Sequence, residues 1–264
     1  MRFRLLGFLI LVFAASSCVS NKKYVLMQKD DVNKEGLPVD SVVRKYFVEA
    51  PEYKIQPEDI VSVRFESLTP KDLDFLKQES SGVAANTGVP GGNALLIGEL
   101  VDPNGEIPFP FIGKVKVSGL SVFEIQDKLQ KIAQQYLDSP VVKVRLVNFR
   151  FTLLGEAKQE GTVLLANNKV TMLEAIGWAG GLTDLADKRN VKLIRKKDGV
   201  TSVQYIDLLD ENFINSPNYF IYQGDILIVP ALKQRPYQTY FGKNMALLVS
   251  TLSLVILVIT LARQ

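Results

Sequence analysis

The chain has 264 residues, with 31 Lys and Arg against 28 Asp and Glu, no His and a single Cys. That length suits one or two domains, and the near-neutral charge gives no electrostatic footprint for nucleic acid. Without His, the commonest general base and metal ligand is missing. One Cys makes neither an internal disulfide nor a Cys-rich zinc site. We therefore expect no catalytic residue, no metal site and no cofactor.

Residues 1–17 have the features of a secretory leader. Arg2 and Arg4 precede an apolar run of 11 residues from Leu5 to Ala15, and small residues follow it. At 1.5 Å per residue the run reaches only about 17 Å, which is too short to cross a hydrocarbon core about 30 Å thick. Setting the leader aside leaves 29 basic against 28 acidic residues.

Cys18 lies where the predicted leader ends. Residues 15–18 read Ala-Ser-Ser-Cys and resemble the lipobox of bacterial lipoproteins, although Leu is commonest at the position of Ala15. In that class the Cys sulfur takes a diacylglycerol, and each buried acyl CH₂ contributes about 0.8 kcal/mol to anchoring. We predict lipid attachment at Cys18, which would bind the chain to membrane lipid. The alternative is an ordinary leader followed by an incidental buried Cys.

A charged spacer is predicted at 18–50, and the first folded unit at 51–148. We expect the spacer to hold the folded part of the chain away from a membrane. Within the folded unit, a turn at 56–59 leads into a β-branched strand at 60–65.

A hairpin, a helix and a strand follow in the first unit. Asp-Pro-Asn-Gly at 102–105 favours a type I turn, so we expect the segments on either side to pair as a hairpin. Ser121 and Glu124 have the spacing of a capping box, which opens a helix over 121–137. The alternating segment 141–147 is predicted as the last strand of this unit.

The second unit is predicted over 149–232. Thr171 and Glu174 form another capping box, which opens a helix through Ala179 that two glycines terminate. The order of elements in the two units predicts the α+β class. Strands are expected at 149–154, 162–165, 191–195, 203–207 and 226–230.

The side chains that could support an enzyme are few. The nearest carboxylate pairs, Glu156 with Glu160 and Asp184 with Asp187, lie in polar turn or loop segments, and we interpret them as solvated. Two acids could serve a glycosidase, but their spacing in sequence does not indicate an opposed pair across a cleft. Trp178 could stack on a sugar, yet at the end of a helix beside a sheet we expect it to be buried.

Residues 244–262 are predicted as a transmembrane helix, after a juxtamembrane linker at 233–243. Residues 245–262 carry no charge, and 18 helical residues span about 27 Å, which suits a bilayer. Aromatic residues precede the run, as an interfacial aromatic belt would.

Small and hydroxyl residues share one face of this predicted helix. At 100° per residue these residues fall within an arc of roughly 80°. Gly242, Ala246 and Ser250 follow the small-xxx-small spacing of packed membrane helices. We expect the face to mediate self-association or to face a lumen, and a lone anchor is the alternative. Its residues are Gly242, Ala246, Ser250, Ser253 and Thr260.

The ordered motifs resemble two domains of a known family. Those of the first unit resemble the polysaccharide biosynthesis/export domain. Those of the second resemble the soluble-ligand-binding β-grasp (SLBB) domain that follows it in Wza-type outer-membrane polysaccharide exporters. The segments that carry the resemblance are 53–63, 101–113 and 138–141 in the first unit, and 154–156, 173–176, 179–182, 224–225 and 229–230 in the second.

Two segments depart from the family pattern. Residues 56–58 read Gln-Pro-Glu where Gly-Pro-Gly is common, and residues 109–111 read Phe-Pro-Phe where Leu-Pro-Leu is usual. We expect neither departure to change the local turn much.

The resemblance implies the architecture and the role. It implies two small α+β domains, an export domain and a β-grasp-like SLBB domain, followed by one C-terminal transmembrane helix. Lipidated subunits would form a ring-shaped homo-oligomer through which capsular polysaccharide or exopolysaccharide crosses the periplasm and the outer membrane. The partner would be an inner-membrane polysaccharide co-polymerase with tyrosine-kinase activity. The alternative is a monomeric, membrane-anchored module that binds glycan or a partner protein.

Overall fold

The computed structural model describes residues 25–29, 31, 36, 42–67, 98–110, 112–197, 199–233 and 242–262. Strands and a few helices make up two domains, which meet at 147–149, and a further helix follows them. The predicted leader and Cys18 lie outside the described residues.

The first domain is built on a three-stranded antiparallel sheet in the order β2-β1-β5. Strand β1 (Ile60–Glu66) is central, and its first four residues are all buried because the chain covers both of its faces. Strands β2 (Glu99–Leu100) and β5 (Val141–Leu146) pair with it on either side. The predicted strands 60–65 and 141–147 are therefore confirmed within one residue at their ends.

The predicted hairpin at 102–105 is wrong in its strand pairing. The turn itself forms, since the Gly105 amide donates to the carbonyl of Asp102 at 2.7 Å. However, β2 pairs with β1, while β3 (Glu106–Phe109) pairs with β4 (Gly113–Lys116) in a separate two-stranded sheet. The reason is tertiary: β2 completes the sheet edge beside Ile60, which leaves β3 to find another partner.

Helix α1 (Val122–Ala133) begins at the predicted capping box. The Ser121 hydroxyl accepts from the Glu124 amide at 3.3 Å, and the Ser121 amide donates to the Glu124 carboxylate at 2.7 Å. The helix buries an apolar face that includes Leu129. It ends before the predicted residue 137, because the last residues close as tighter turns onto Ile132 and Ala133.

The second domain contains a five-stranded mixed sheet. Its strands are β6 (Arg150–Gly155), β7 (Gly161–Leu164), β8 (Val191–Lys197), β9 (Val200–Ile206) and β10 (Ile226–Val229). They lie in the order β7-β6-β10-β8-β9, with β10 at the centre, parallel to β6 and antiparallel to β8. Helix α2 (Met172–Trp178) opens at the capping box of Thr171 and Glu174, as predicted.

Gly155 allows β6 and β10 to approach at their ends. It has φ +90°, and a Cβ on this residue would lie 2.1 Å from the carbonyl oxygen of Val229. Any other residue would push β10 outward, because Cβ atoms do not come that close to backbone oxygen. This is the physical need behind the glycine of the Leu-Gly-Glu motif.

One apolar core runs through both domains. Phe149 connects the two parts of this core. It follows the last strand of the first domain and is 1% exposed, and its ring packs edge-to-face on the ring of Tyr53 with 5.6 Å between the ring centroids. The residue next along the chain starts β6 of the second domain. The two domains are therefore packed on each other, because the chain passes between them inside the core.

The C-terminal helix α3 spans Gly242–Ala262. Among the residues that the structure describes, no helix combines the length and the apolar composition that crossing a membrane requires. The predicted transmembrane helix at 244–262 is therefore wrong. The run of 18 uncharged residues lies at the short end of the roughly 17–25 residues that a span uses, and hydroxyl residues such as Ser250 and Ser253 interrupt it.

A buried ion pair joins β8 to the turn before β10. Arg195 donates to both carboxylate oxygens of Asp225, at 2.9 and 2.6 Å, and its remaining donors reach Asn218 and the carbonyl of Phe220. The ring of Tyr222 stacks on the guanidinium, with 4.1 Å from the ring centroid to Arg195 Cζ. Asp225 is fully buried, so its charge depends on this arginine for compensation.

Replacing Arg195→Met should lower the free energy of unfolding of the second domain by about 3–5 kcal/mol, because a buried carboxylate would lose its cation. The matched control is Arg189→Met, whose exposed pair with Asp207 spans 3.6 Å and should contribute under about 1 kcal/mol. Urea unfolding followed by the fluorescence of Trp178, the single tryptophan, measures both. Equal losses in the two variants would contradict the assignment.

Candidate functional site at the domain junction

The first of two similar turns enters β1. The Asp59 amide donates to the Gln56 carbonyl at 3.2 Å, and the Asp59 carboxylate accepts from the Gln56 amide at 2.9 Å. Pro57 occupies the second position, and Glu58 the third with φ +74°. These features describe a type II turn closed by its own carboxylate.

Glu58 stands where the family commonly has glycine, and the structure shows what that departure means. The turn keeps its conformation, as expected. A non-glycine residue nevertheless adopts the left-handed region, which costs about 1–2 kcal/mol for an L-residue. The turn is retained because the buried Asp59 and Asn148 stabilise it. The side-chain amide nitrogen of Asn148 donates to the Glu58 carbonyl at 3.2 Å.

The second turn enters β10 in the same way. The Asp225 amide donates to the Tyr222 carbonyl at 3.1 Å, and the Asp225 carboxylate accepts from the Tyr222 amide at 2.9 Å. Its third residue, Gly224, has φ +76°. We call 56–59 and 222–225 the paired turns, since each places a buried aspartate directly before a central strand.

Asp59 is 2% exposed, and within the described part of the chain it forms no salt bridge. It accepts a hydrogen bond from the Tyr53 hydroxyl at 2.7 Å, and the Gln223 side chain also lowers its pKa. Burial raises the pKa of Asp59 because it disfavours the charged form, and these hydrogen bonds oppose that rise only in part. Burial also raises the pKa of Tyr53, and the neighbouring carboxylate adds to the effect.

Gln223, at the tip of the second turn, ties the two domains together. The side-chain nitrogen of Gln223 donates to the backbone carbonyl of Asn148 at 3.1 Å, and its side-chain oxygen accepts from the backbone amide of Arg150 at 2.8 Å. The Asn148 side chain in turn accepts from the Ile60 amide at 2.9 Å. The paired turns therefore meet through Gln223 and the short segment between the domains.

A cleft of about 320 Å³ opens beside the paired turns. Residues 51–54 and Gln56 of the first domain form one wall, and 195–197 with 221–223 of the second domain form the other. A second hollow of about 160 Å³ shares Glu52, Tyr53 and Asn168 with it. We call the two together the junction track.

The residues that line the junction track are of types that bind polar or charged ligands. Its walls combine lysine, arginine, amide and tyrosine side chains, and the two buried aspartates lie behind them in the paired turns. Across the described ranges, no group of three or more Cys, Asp and Glu residues could hold a metal ion. The track had no signal in the sequence beyond the two turn motifs, because its walls come from distant segments.

The amino-terminal strap, which comprises 25–29, 31 and 42–50, lies on the second domain. Met27 donates its amide to the Leu208 carbonyl at 3.1 Å. Arg44 donates to both oxygens of Glu211, each at 2.6 Å, and also to Asp31. The Arg44 hydrogen bonds lower the pKa of Glu211. Part of the predicted spacer thus contacts the folded protein.

The predicted site residues are placed as follows. Cys18 lies outside the described residues, so lipid attachment stays a prediction. The predicted helix face falls on α3, where the side chains of Ser250, Ser253 and Thr260 are exposed and the Ser250 hydroxyl donates to the Leu247 carbonyl at 2.8 Å. Its role in self-association is also untested.

Two expectations about single side chains are wrong. Trp178 is 54% exposed, because α2 ends there and the indole extends beyond the edge of the core. Glu156 is 6% exposed and accepts from the Thr183 hydroxyl at 2.6 Å, instead of being solvated. Its backbone amide is held by Val229 at 2.9 Å, which draws the side chain inward.

Two protein families match the chain in succession. Residues 48–147 match the polysaccharide biosynthesis/export protein family, and residues 150–229 match the SLBB domain. The break between the matches coincides with the segment that joins the two domains in the structure. The junction track is therefore formed where the two families meet.

Two relatives with a recorded role are similar to the chain. It is 29% identical over 143 residues to the EPS I polysaccharide export outer membrane protein EpsA of Ralstonia nicotianae, covering 53% of this chain and 37% of that protein. It is 27% identical over 203 residues to the protein of the same name from Ralstonia solanacearum, covering 75% of this chain and 52% of that protein. The matched part thus spans about half of these relatives or less.

The Asp59→Asn variant should change how stability depends on pH. Because the folded-state pKa of Asp59 is raised, its contribution is fully present below about pH 4, the unfolded pKa, and is lost as pH rises through the folded pKa. The free energy of unfolding of the wild type relative to the variant should therefore fall as pH rises. Urea titrations followed by circular dichroism between pH 4 and 8 measure this difference.

The Asp127→Asn variant is the control for that titration, because it removes one carboxylate at an exposed position. If the free energy of unfolding of the wild type rose with pH relative to that of the Asp59→Asn variant, the raised pKa of Asp59 would be contradicted.

The Arg44→Ala variant should loosen the strap, because Arg44 bridges Asp31 of the strap and Glu211 of the second domain. We expect faster hydrogen exchange at the amides of Met27 and Gln28, which donate to the second domain. Exchange measured by mass spectrometry on the same segment of the Lys45→Ala variant should remain at the wild-type rate. Unchanged protection in the Arg44 variant would show that the backbone bonds and the Tyr46 hydroxyl bond to Glu211 hold the strap without Arg44.

Proposed function

We propose that this chain, which belongs to the Wza-type polysaccharide export proteins, is a subunit of an outer-membrane exporter. Its subunits assemble into a ring, and capsular polysaccharide or exopolysaccharide passes through that ring across the periplasm and the outer membrane. The role is transport, with no covalent step performed on the polymer.

The observation that carries this proposal is the succession of the two domains. An export domain at 48–147 is followed directly by an SLBB domain at 150–229, in the order of the family. Both relatives reported above are named as export outer membrane proteins. Because the matched part covers about half of their length or less, the activity and partners of the whole chain rest on the proposal.

The polarity of a polysaccharide favours an oligomeric passage. A polysaccharide carries a hydroxyl group on most of its carbons, and moving one hydroxyl from water into an apolar medium without a partner costs about 4–8 kcal/mol. A chain of sugars therefore does not cross hydrocarbon unaided. A ring of folded domains provides a polar route, and its assembly requires no chemistry beyond binding.

The strap supports an anchor at Cys18. The strap contacts the second domain where the Met27 amide donates to the Leu208 carbonyl. The nine residue steps from Cys18 to Met27 extend at most about 32 Å. An acylated Cys18 would thus keep this end of the second domain within about 35 Å of a lipid surface, which suits a subunit that works at the outer membrane.

The source of energy belongs to a partner in this proposal. The partner would be an inner-membrane polysaccharide co-polymerase with tyrosine-kinase activity, which delivers the growing polymer to the ring from below. Binding between the two would align the site of polymer synthesis with the passage.

Deletion of the gene should abolish polysaccharide at the cell surface while synthesis of its repeat units continues. The measurement is surface polymer by antibody or lectin labelling, together with lipid-linked repeat units in the membrane fraction. Complementation with the wild type should restore surface polymer, and complementation with Cys18→Ser should restore less because the anchor is missing. Normal surface polymer in the deletion strain would overturn the proposed function.

A further inference from the structure

The junction track carries an excess of positive charge in a chain that is close to neutral. Six cationic residues line its two hollows, whereas Glu52 is the single acid among the described lining residues. The lysines and arginines are Lys54, Arg145, Lys169, Arg195, Lys196 and Lys197.

Four of these six cations form no salt bridge with any acidic residue that the structure describes. Lys54 pairs with Glu124 at 2.7 Å, and Arg195 is neutralised by Asp225. The other four side chains are exposed and form no ion pair or side-chain hydrogen bond within the described part of the chain. They are Arg145, Lys169, Lys196 and Lys197. Uncompensated cations along a cleft concentrate their field there and attract anions.

Aromatic residues line the same two hollows as the cations. Tyr222 is half-buried in the wall of the larger hollow, and the Arg195 guanidinium packs against its ring, with 4.1 Å from Cζ to the ring centroid. Phe123 lines the smaller hollow and is 69% exposed. A large apolar ring exposed at a surface offers contact area to the carbon face of a sugar, while the cations beside it recognise charge.

The size of the track suits part of a chain molecule. Pockets for small ligands usually enclose about 300–1,000 Å³, and the larger hollow has about 320 Å³. The two hollows share three residues, so together they form an extended site that is open to solvent. A polymer segment can lie along such a site and leave at both ends.

We propose that the junction track binds an anionic segment of the exported polymer, with Lys196, Lys197, Lys169 and Arg145 facing sugar carboxylates and Tyr222 contacting a sugar ring. The inference rests on the proposed function for the class of ligand, a polysaccharide. The charge of the track adds that this polysaccharide is acidic, with uronic acids or other carboxylate-bearing sugars.

The test uses the purified full chain and two labelled probes of equal length. One is an oligogalacturonate, which carries a carboxylate on each sugar, and the other is a neutral malto-oligosaccharide. Fluorescence anisotropy should show binding of the acidic probe at low ionic strength, weakening as salt rises because the interaction is electrostatic. The neutral probe should bind at least about tenfold more weakly.

Substitution of the lysines shows whether binding occurs in the track. The double variant Lys196→Gln with Lys197→Gln should weaken binding of the acidic probe about tenfold, the loss expected for two partly exposed ion pairs. The matched control replaces Lys131 and Lys158 by Gln, which changes the net charge equally at exposed positions outside the track. The control should bind as the wild type does.

Three outcomes would overturn the inference: no binding of the acidic probe, equal binding of both probes, or equal losses in the two double variants. Its failure is distinguishable from failure of the proposed function. If the track variant exports polymer normally and the acidic probe does not bind, while the deletion strain lacks surface polymer, the export role stands and the acidic-ligand site is refuted.

Discussion

The structure depends on two buried aspartates that close similar turns. Asp59 and Asp225 each accept a hydrogen bond from the amide three residues earlier, and each stands directly before the central strand of its domain. A carboxylate removed from water must be compensated. This requirement determines which side chains surround the turns and how the two domains meet.

The two carboxylates are compensated differently, and the junction follows from that difference. Asp225 takes a cation, Arg195, from within its own domain. Asp59 accepts hydrogen bonds from the Tyr53 hydroxyl and the Gln56 amide, and the Gln223 side chain of the other domain also lowers its pKa. The first domain thus relies on the second to complete its turn, which brings the walls of the junction track together at a defined spacing. Interdomain packing of Tyr53 on Phe149 reinforces this arrangement.

The strap and the junction track place two tasks on the second domain. The strap joins its far end to the amino terminus through Glu211, while its turn at 222–225 contributes to the track. In an export subunit these tasks would be anchoring and contact with polymer, respectively. Neither requires a reacting group, because binding surfaces that hold and release a polymer depend on charge, shape and apolar contact.

The sequence by itself determined the local elements, because their signals lie within a few residues of one another. Both capping boxes, the β8–β9 pair and the two turns before central strands belong here, and so does the order of the two domains. Only the tertiary structure decided the pairing of β2 with β1, the exposure of Trp178 and the burial of Glu156. It also formed the junction track, whose walls lie far apart in the chain. Pairing, burial and cleft formation depend on which distant segments compete for the same surface, and local patterns carry no record of that competition.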